Sequence, residues 1–184
     1  MKRYAAFLRS INVGGHTVKM DFLRRLFESM GSSNVETFIA SGNVIFESAV
    51  TGAHNLEKKI EDKLAETLGY KVAAFIRSTT ELAEIADYRP FKESELDASL
   101  YIAFVSGPVN DGVELKLMSF KTATDDFHVH KREIYWLCRT KFSESTFSGA
   151  LLEKVLGAPA TIRNANTVRK IAAKYCGASF SKPC

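Results

Sequence analysis

Between Thr161 and Lys170 the chain gathers Arg163, Asn164, Asn166, Thr167 and Arg169. Two guanidiniums, two amides and a hydroxyl make a donor-rich set suited to a phosphate or a carboxylate. The pattern reads as the start of a terminal helix capped by Asn164, with Val168, Ile171, Ala172 and Tyr175 on its inner face. A helix start brings unpaired N–H groups and the positive end of the helix dipole. Beyond Glu153 the chain carries six basic residues, Lys154, Arg163, Arg169, Lys170, Lys174 and Lys182, and no acid. Arg163, just ahead of the helix, is expected to be an exposed side chain.

Arg9-Ser10-Ile11-Asn12-Val13-Gly14-Gly15 joins the first strand to the first helix. Gly14 and Gly15 would let backbone N–H groups approach an anion, with Arg9 supplying charge and Asn12 a polar side chain. The spacing matches neither a dinucleotide fingerprint nor a Walker loop. The same residues also make a plain strand-to-helix connection in which Asn12 bonds its own backbone. Ser41 and Asn43 flank Gly42 at a hairpin tip, where an ordinary turn with glycine at positive φ is the competing reading. The candidate ligand-binding set is therefore Arg9, Asn12, Gly14, Gly15, Ser41, Asn43, Arg163, Asn164, Asn166, Thr167 and Arg169. Arg9, Asn12 and Ser41 are expected to approach one another or the Arg163 helix.

Other reactive residue types lack partners at the right spacing. Asp126, His128 and His130 alternate along a strand and so share one face, which fits a solvated sheet face better than a metal site with strict ligand geometry. Ser143-Glu144-Ser145-Thr146 precedes a helix and reads as capping residues. No base is in view to activate a serine. Cys138 ends a strand and reads as a buried, inert thiol. No catalytic residue, metal or cofactor follows from these patterns.

Composition narrows the class. The 184 residues are 46% apolar and include 13 Phe, with a net charge of +4. That charge is mild for a nucleic-acid binder. The three cysteines, Cys138, Cys176 and Cys184, lack CxxC spacing, which argues against a disulfide framework or structural zinc. The first apolar stretch ends at Arg9, too short for a secretory signal, and no run reaches membrane-spanning length. The expectation is a cytoplasmic protein with no membrane partner and no disulfide.

Hydrophobic periodicity gives the element order. Tyr4 to Leu8 reads as a strand, Met20 to Met30 as a helix, and Val35 to Ala40 and Val44 to Phe46 as a hairpin. Leu56, Ile60, Leu64 and Leu68 mark one helix face, and Val72 to Ile76 a strand. This is strand-helix-strand-strand-helix-strand, the ferredoxin-like order. A second copy runs through Leu100 to Val105, Val113 to Met118, Phe127 to His130, Ile134 to Leu137, Ala150 to Leu156 and Ala160 to Ile162. The fold class is α+β: duplicated ferredoxin-like (βαββαβ) units with an added C-terminal helix. The expected domains are residues 1–77, a helical and polar connection over 78–98 with a capping box from Ser78 to Glu81, and residues 99–184.

Five segments carry a resemblance: Ile11-Asn12-Val13-Gly14-Gly15, Lys19-Met20, Ser41-Gly42-Asn43-Val44-Ile45-Phe46, Arg132-Glu133-Ile134-Tyr135 and Thr161 to Lys170. Over nearly the whole chain they resemble the bacterial family called domain of unknown function 1697. The resemblance implies a duplicated ferredoxin-like fold and no established activity, cofactor or catalytic residue. Lys131 stands where that family commonly has glycine, and Ala165 where tryptophan is frequent.

The leading functional expectation is binding of a phosphate-bearing ligand, nucleic acid or a nucleotide-like metabolite, in a cleft between the repeats near the terminal helix start. Nucleic-acid binding on the sheet face is weaker, because the inner strands offer only Phe7 and Ile45 or Phe46 for stacking. The alternatives are a small-molecule enzyme using the same cleft and a module that self-associates through a sheet edge.

Overall fold

The structure is a computed structural model. It describes residues 1–12, 17–39, 42–92 and 99–177. The chain divides into two compact units, Met1–Ala83 with Ile171–Cys184, and Glu84–Lys170.

The first half runs β1 (Lys2–Leu8), α1 (Met20–Ser29), β2 (Ser33–Thr37), β3 (Asn43–Ser48), α2 (Ala53–Leu68), β4 (Ala74–Ser78) and α3 (Thr79–Asp87). The second runs β5 (Ser99–Phe104), α4 (Asp111–Met118), β6 (Asp125–His130), β7 (Glu133–Cys138), α5 (Gly149–Leu156), β8 (Thr161–Asn164) and α6 (Ala165–Tyr175). The two sheets share one order, β2-β3-β1-β4 and β6-β7-β5-β8, and every neighbouring pair is antiparallel. The fold is α+β with the βαββαβ order twice over. The repeat also extends one element further than the sequence suggests, because a helix follows the last strand in both halves. The division between the units falls within those helices, α3 and α6.

Helices α1 and α2 pack on one face of the first sheet, and α4 and α5 on one face of the second. In the first unit Tyr4, Ala6, Leu8, Val44, Phe46 and Ile76 meet Leu23, Leu26 and Phe27 of α1 and Leu56, Ile60 and Leu64 of α2. The helix residues follow a three-to-four spacing that keeps them on one stripe. Phe27 meets Phe46 edge-on at 5.2 Å. In the second unit Trp136 is the centre, with Phe142 at 4.9 Å and Phe147 at 5.1 Å between ring centroids. Its indole N–H donates to Asp125 Oδ1 at 2.7 Å, which satisfies a buried donor and a buried carboxylate together. The other face of each sheet is buried too: Ala5, Phe7, Ile45 and Phe75 in the first, Ile102, Phe104, Tyr135 and Leu137 in the second. That explains why β1 and β7 read as continuous apolar runs and not as alternating ones.

Two local differences bear on the site. No loop separates β4 from α3 or β8 from α6, so Arg163 and Asn164 are strand residues. Asn164 both ends β8 and accepts a hydrogen bond from Asn166 N at 2.9 Å. Arg163 is consequently not the exposed side chain expected from sequence. The cap of α5 is Ser148, which accepts from Leu151 N at 3.2 Å, and not the Ser143–Thr146 stretch.

Candidate functional site

In the first unit the β1–α1 connection and the β2–β3 hairpin tip meet. Leu8 N donates to Gly42 O at 2.8 Å. Gly42 has φ +70, and a Cβ there would lie 3.0 Å from Ile11 Cβ and 3.2 Å from Leu8 Cβ. Glycine is required for both conformation and space. Arg9 donates to Ser10 Oγ at 2.9 Å. Asn12, at φ 57, accepts from Val18 N at 2.6 Å. The asparagine is thus closing its own loop. Asn43 is buried and its amide donates to Phe38 O at 3.0 Å, a hairpin brace. Gly14, Gly15 and Ser41 lie outside the described residues.

The second unit holds the other candidates. Arg163 sits in β8, and its guanidinium donates to Thr161 Oγ1 at 2.8 Å and Ile162 O at 2.9 Å. Burial pushes its pKa down to about 10, so it stays charged at neutral pH. Asn166 is exposed and Thr167 half-buried. Arg169, one turn further on, reaches Asn166 Oδ1 at 3.3 Å. Its Nε is buried with no hydrogen-bond partner among the described residues. Its pKa is lowered, first by burial and then by the nearby charge of Arg89, while Asp87 and Tyr135 pull the other way.

Arg89 and Tyr88 are the residues the sequence reading missed. The Arg89 guanidinium donates to Ala86 O at 2.8 Å and lies 3.7 Å from Asp87 Oδ1. Tyr88 lies against the β6 histidines: its hydroxyl is 2.8 Å from His128 Nε2, and its ring stacks on His130 at 4.1 Å. Alternation along β6 correctly placed Asp126, His128 and His130 on one face, but that face is only half-exposed. A tyrosine just past a helix carries no periodic signal that could have pointed to this contact.

The remaining reactive groups are engaged in structure. Ser145 Oγ donates to Asp125 Oδ1 at 2.9 Å and accepts from Phe147 N at 3.0 Å. Burial raises the Cys138 thiol above its ordinary value and so disfavours the nucleophilic thiolate. Among the described residues no group of three or more His, Cys, Asp or Glu could hold a metal ion, and no helix is long and apolar enough to cross a membrane. A cavity of about 200 Å³ lies beside α4, lined by Val105, Pro108, Val109, Val113, Leu156 and Pro159 among others. Among the described residues no charged side chain lines it, so it offers an anion no counter-charge.

The chain matches no curated protein. Its fold is shared with the solved structure of the conserved bacterial protein SP0830 from Streptococcus pneumoniae, at a TM-score of 0.74 and 28% identity, over 95% of this chain and 98% of that one. The sequence model of the family described as protein of unknown function (DUF1697) matches residues 1–135. The chain belongs to that family.

Proposed function

We propose that the protein binds a phosphate-bearing or similar anionic ligand at the start of α6, with Arg169 and Arg89 as its charged contacts. One observation carries this reading. Arg169 Nε is buried without a partner, while a second guanidinium stands close enough to depress the Arg169 pKa. Burying a donor unpaired and holding two like charges together both cost free energy. An anion between the two arginines relieves both. Arg163, turned onto its own strand, supports the position of the helix and does not reach for the ligand.

The experiment is a thermal-shift panel of sulfate, nucleoside phosphates and short oligonucleotides on the wild type, Arg169→Ala and Arg89→Ala. Each charge-assisted hydrogen bond contributes about 1.5–3 kcal/mol, so each variant is expected to lose most of the ligand-induced shift. An oligonucleotide that binds with steep salt dependence identifies nucleic acid; a mononucleotide that binds as well as an oligonucleotide identifies a metabolite. Full ligand shifts in both variants would overturn the reading.

A further inference from the structure

Tyr88 follows α3 and rests on the β6–β7 hairpin. Besides its contacts with His128 and His130, its ring lies 5.2 Å from that of Tyr135. Tyr135 in turn donates to Ile85 O at 3.2 Å, and Glu84 meets Lys131 at 2.9 Å. These contacts fasten the segment from Glu84 to Arg89 to the hairpin. Two of the three rings that touch Tyr88 are imidazoles, able to take up a proton near neutral pH.

We propose that Tyr88, His128 and His130 form an acid-released clasp, which holds Arg89 in place at neutral pH and frees its segment when His128 becomes charged. The clasp stands on the contacts themselves. Its consequence for ligand binding rests on the anion-binding reading above.

His130 pairs in register with Glu133, and its ring faces that of Tyr88, an arrangement that tolerates a cation. The proton that opens the clasp goes to His128, whose pKa is lowered by burial first and then by the charge of His130. Glu114 of α4 and Asp126 of β6 favour that proton and Lys121 opposes it. Asp126, however, is already engaged by Lys121 and Arg139. On the α3 side Glu84 answers Lys131, and Asp87 answers Arg89. Tyr135 stays neutral throughout, its pKa raised by burial. Arg169 adds positive charge near Arg89 and Tyr135. A charged His128 therefore gains by turning out to water. Because its folded pKa lies below the ordinary 6.5, the contact is complete above that value and weakens as the pH falls through the lower one.

The experiment is amide hydrogen exchange on the full chain at about pH 7 and about pH 5, corrected for the intrinsic rate, with a sulfate titration in parallel. Sulfate remains a dianion at both. In the wild type, protection over residues 84–91 is expected to fall by about tenfold or more at the lower pH while β5 and β7 keep theirs. His128→Gln cannot titrate and is expected to show the same protection at both. Tyr88→Phe keeps the stack without the hydrogen bond and should already be less protected at neutral pH. Unchanged wild-type protection, or an equal loss in His128→Gln, overturns the clasp. If the segment opens but sulfate binds nowhere, the clasp stands and the anion reading fails. If it opens and sulfate affinity does not change, the clasp's control over Arg89 as a ligand contact is overturned.

Discussion

Arg77 and Arg163 hold the same place in the two sheets. Arg77 pairs in register with Ala5 and Arg163 with Ile102, each one residue before its strand ends. Each guanidinium turns back onto the carbonyl of the preceding isoleucine at 2.9 Å. An arginine here is part of the repeat, so the one in the donor-rich stretch needs no ligand to account for it.

Removing these arginines should therefore cost stability. Arg77 is fully buried, and Arg77→Ala is expected to lose about 3 kcal/mol or more, as for other buried charges taken from their partners. Arg163→Ala should lose about 1–3 kcal/mol and leave sulfate affinity unchanged. Urea denaturation checks both. A neutral Arg77→Ala would remove the structural role.

The helices also close the sheet edges. Glu57 and Glu61 of α2 accept from Ile76 N at 2.9 Å and Ala74 N at 2.8 Å on the edge strand β4. In the second unit Glu153 of α5 accepts from Ala160 N at 2.9 Å. Gly149, four residues earlier, stands where Glu57 stands and brings no side chain to Ile162 N. Glu57→Ala should cost about 1–3 kcal/mol by stranding a buried N–H. Gly149→Glu should stabilise by about 0.5–1 kcal/mol, from the edge contact and a favourable charge at the helix start. A Cβ there meets Ile162 Cδ1 at 3.3 Å, the movable end of a side chain. A lower melting temperature for Gly149→Glu would show that the strand cannot accept the partner.

Lys131 turns the β6–β7 hairpin at φ 56, in the left-handed region that glycine enters freely. Its ion pair with Glu84 joins two exposed side chains and contributes little. Lys131→Gly is expected to stabilise the protein by about 0.5–1 kcal/mol, read from the denaturation midpoint. A loss of stability instead would give the Glu84 contact the larger weight.

Glu36 accepts from Lys174 at 3.0 Å and from the Tyr175 hydroxyl at 2.9 Å. These bonds, Lys174 foremost, hold its pKa below the ordinary 4.5. The stability they confer is present above that value and lost as the pH falls through the lowered one. Glu36→Gln should flatten the acid limb of the stability curve, by less than about 1 kcal/mol because the pair is half-exposed. An unchanged acid limb would count against the link.

The strands and helices were legible because apolar spacing reports which residues a sheet or helix must bury. The capping box was legible too: Ser78 N donates to Glu81 Oε2 at 2.8 Å. The end of β8 was not. Asn164 is a good cap whether a loop or a strand precedes it, so Arg163 reads as an exposed side chain just ahead of the helix when it is a strand residue. The Arg89–Arg169 pair was illegible for a different reason. The two residues lie eighty positions apart, and nothing local in either segment reports the proximity that their charges feel.

The most direct measurement follows the Arg169 side-chain Nε–H resonance, with the Asn166 and Thr167 amides, as sulfate is added to labelled protein at low salt. Anion binding by Arg169 and Arg89 is expected to shift all three saturably in the wild type and in Arg163→Ala, and to leave the two amides unmoved in Arg169→Ala. Saturable amide shifts that persist in Arg169→Ala, or an Arg169 Nε–H signal that sulfate never moves, would contradict it.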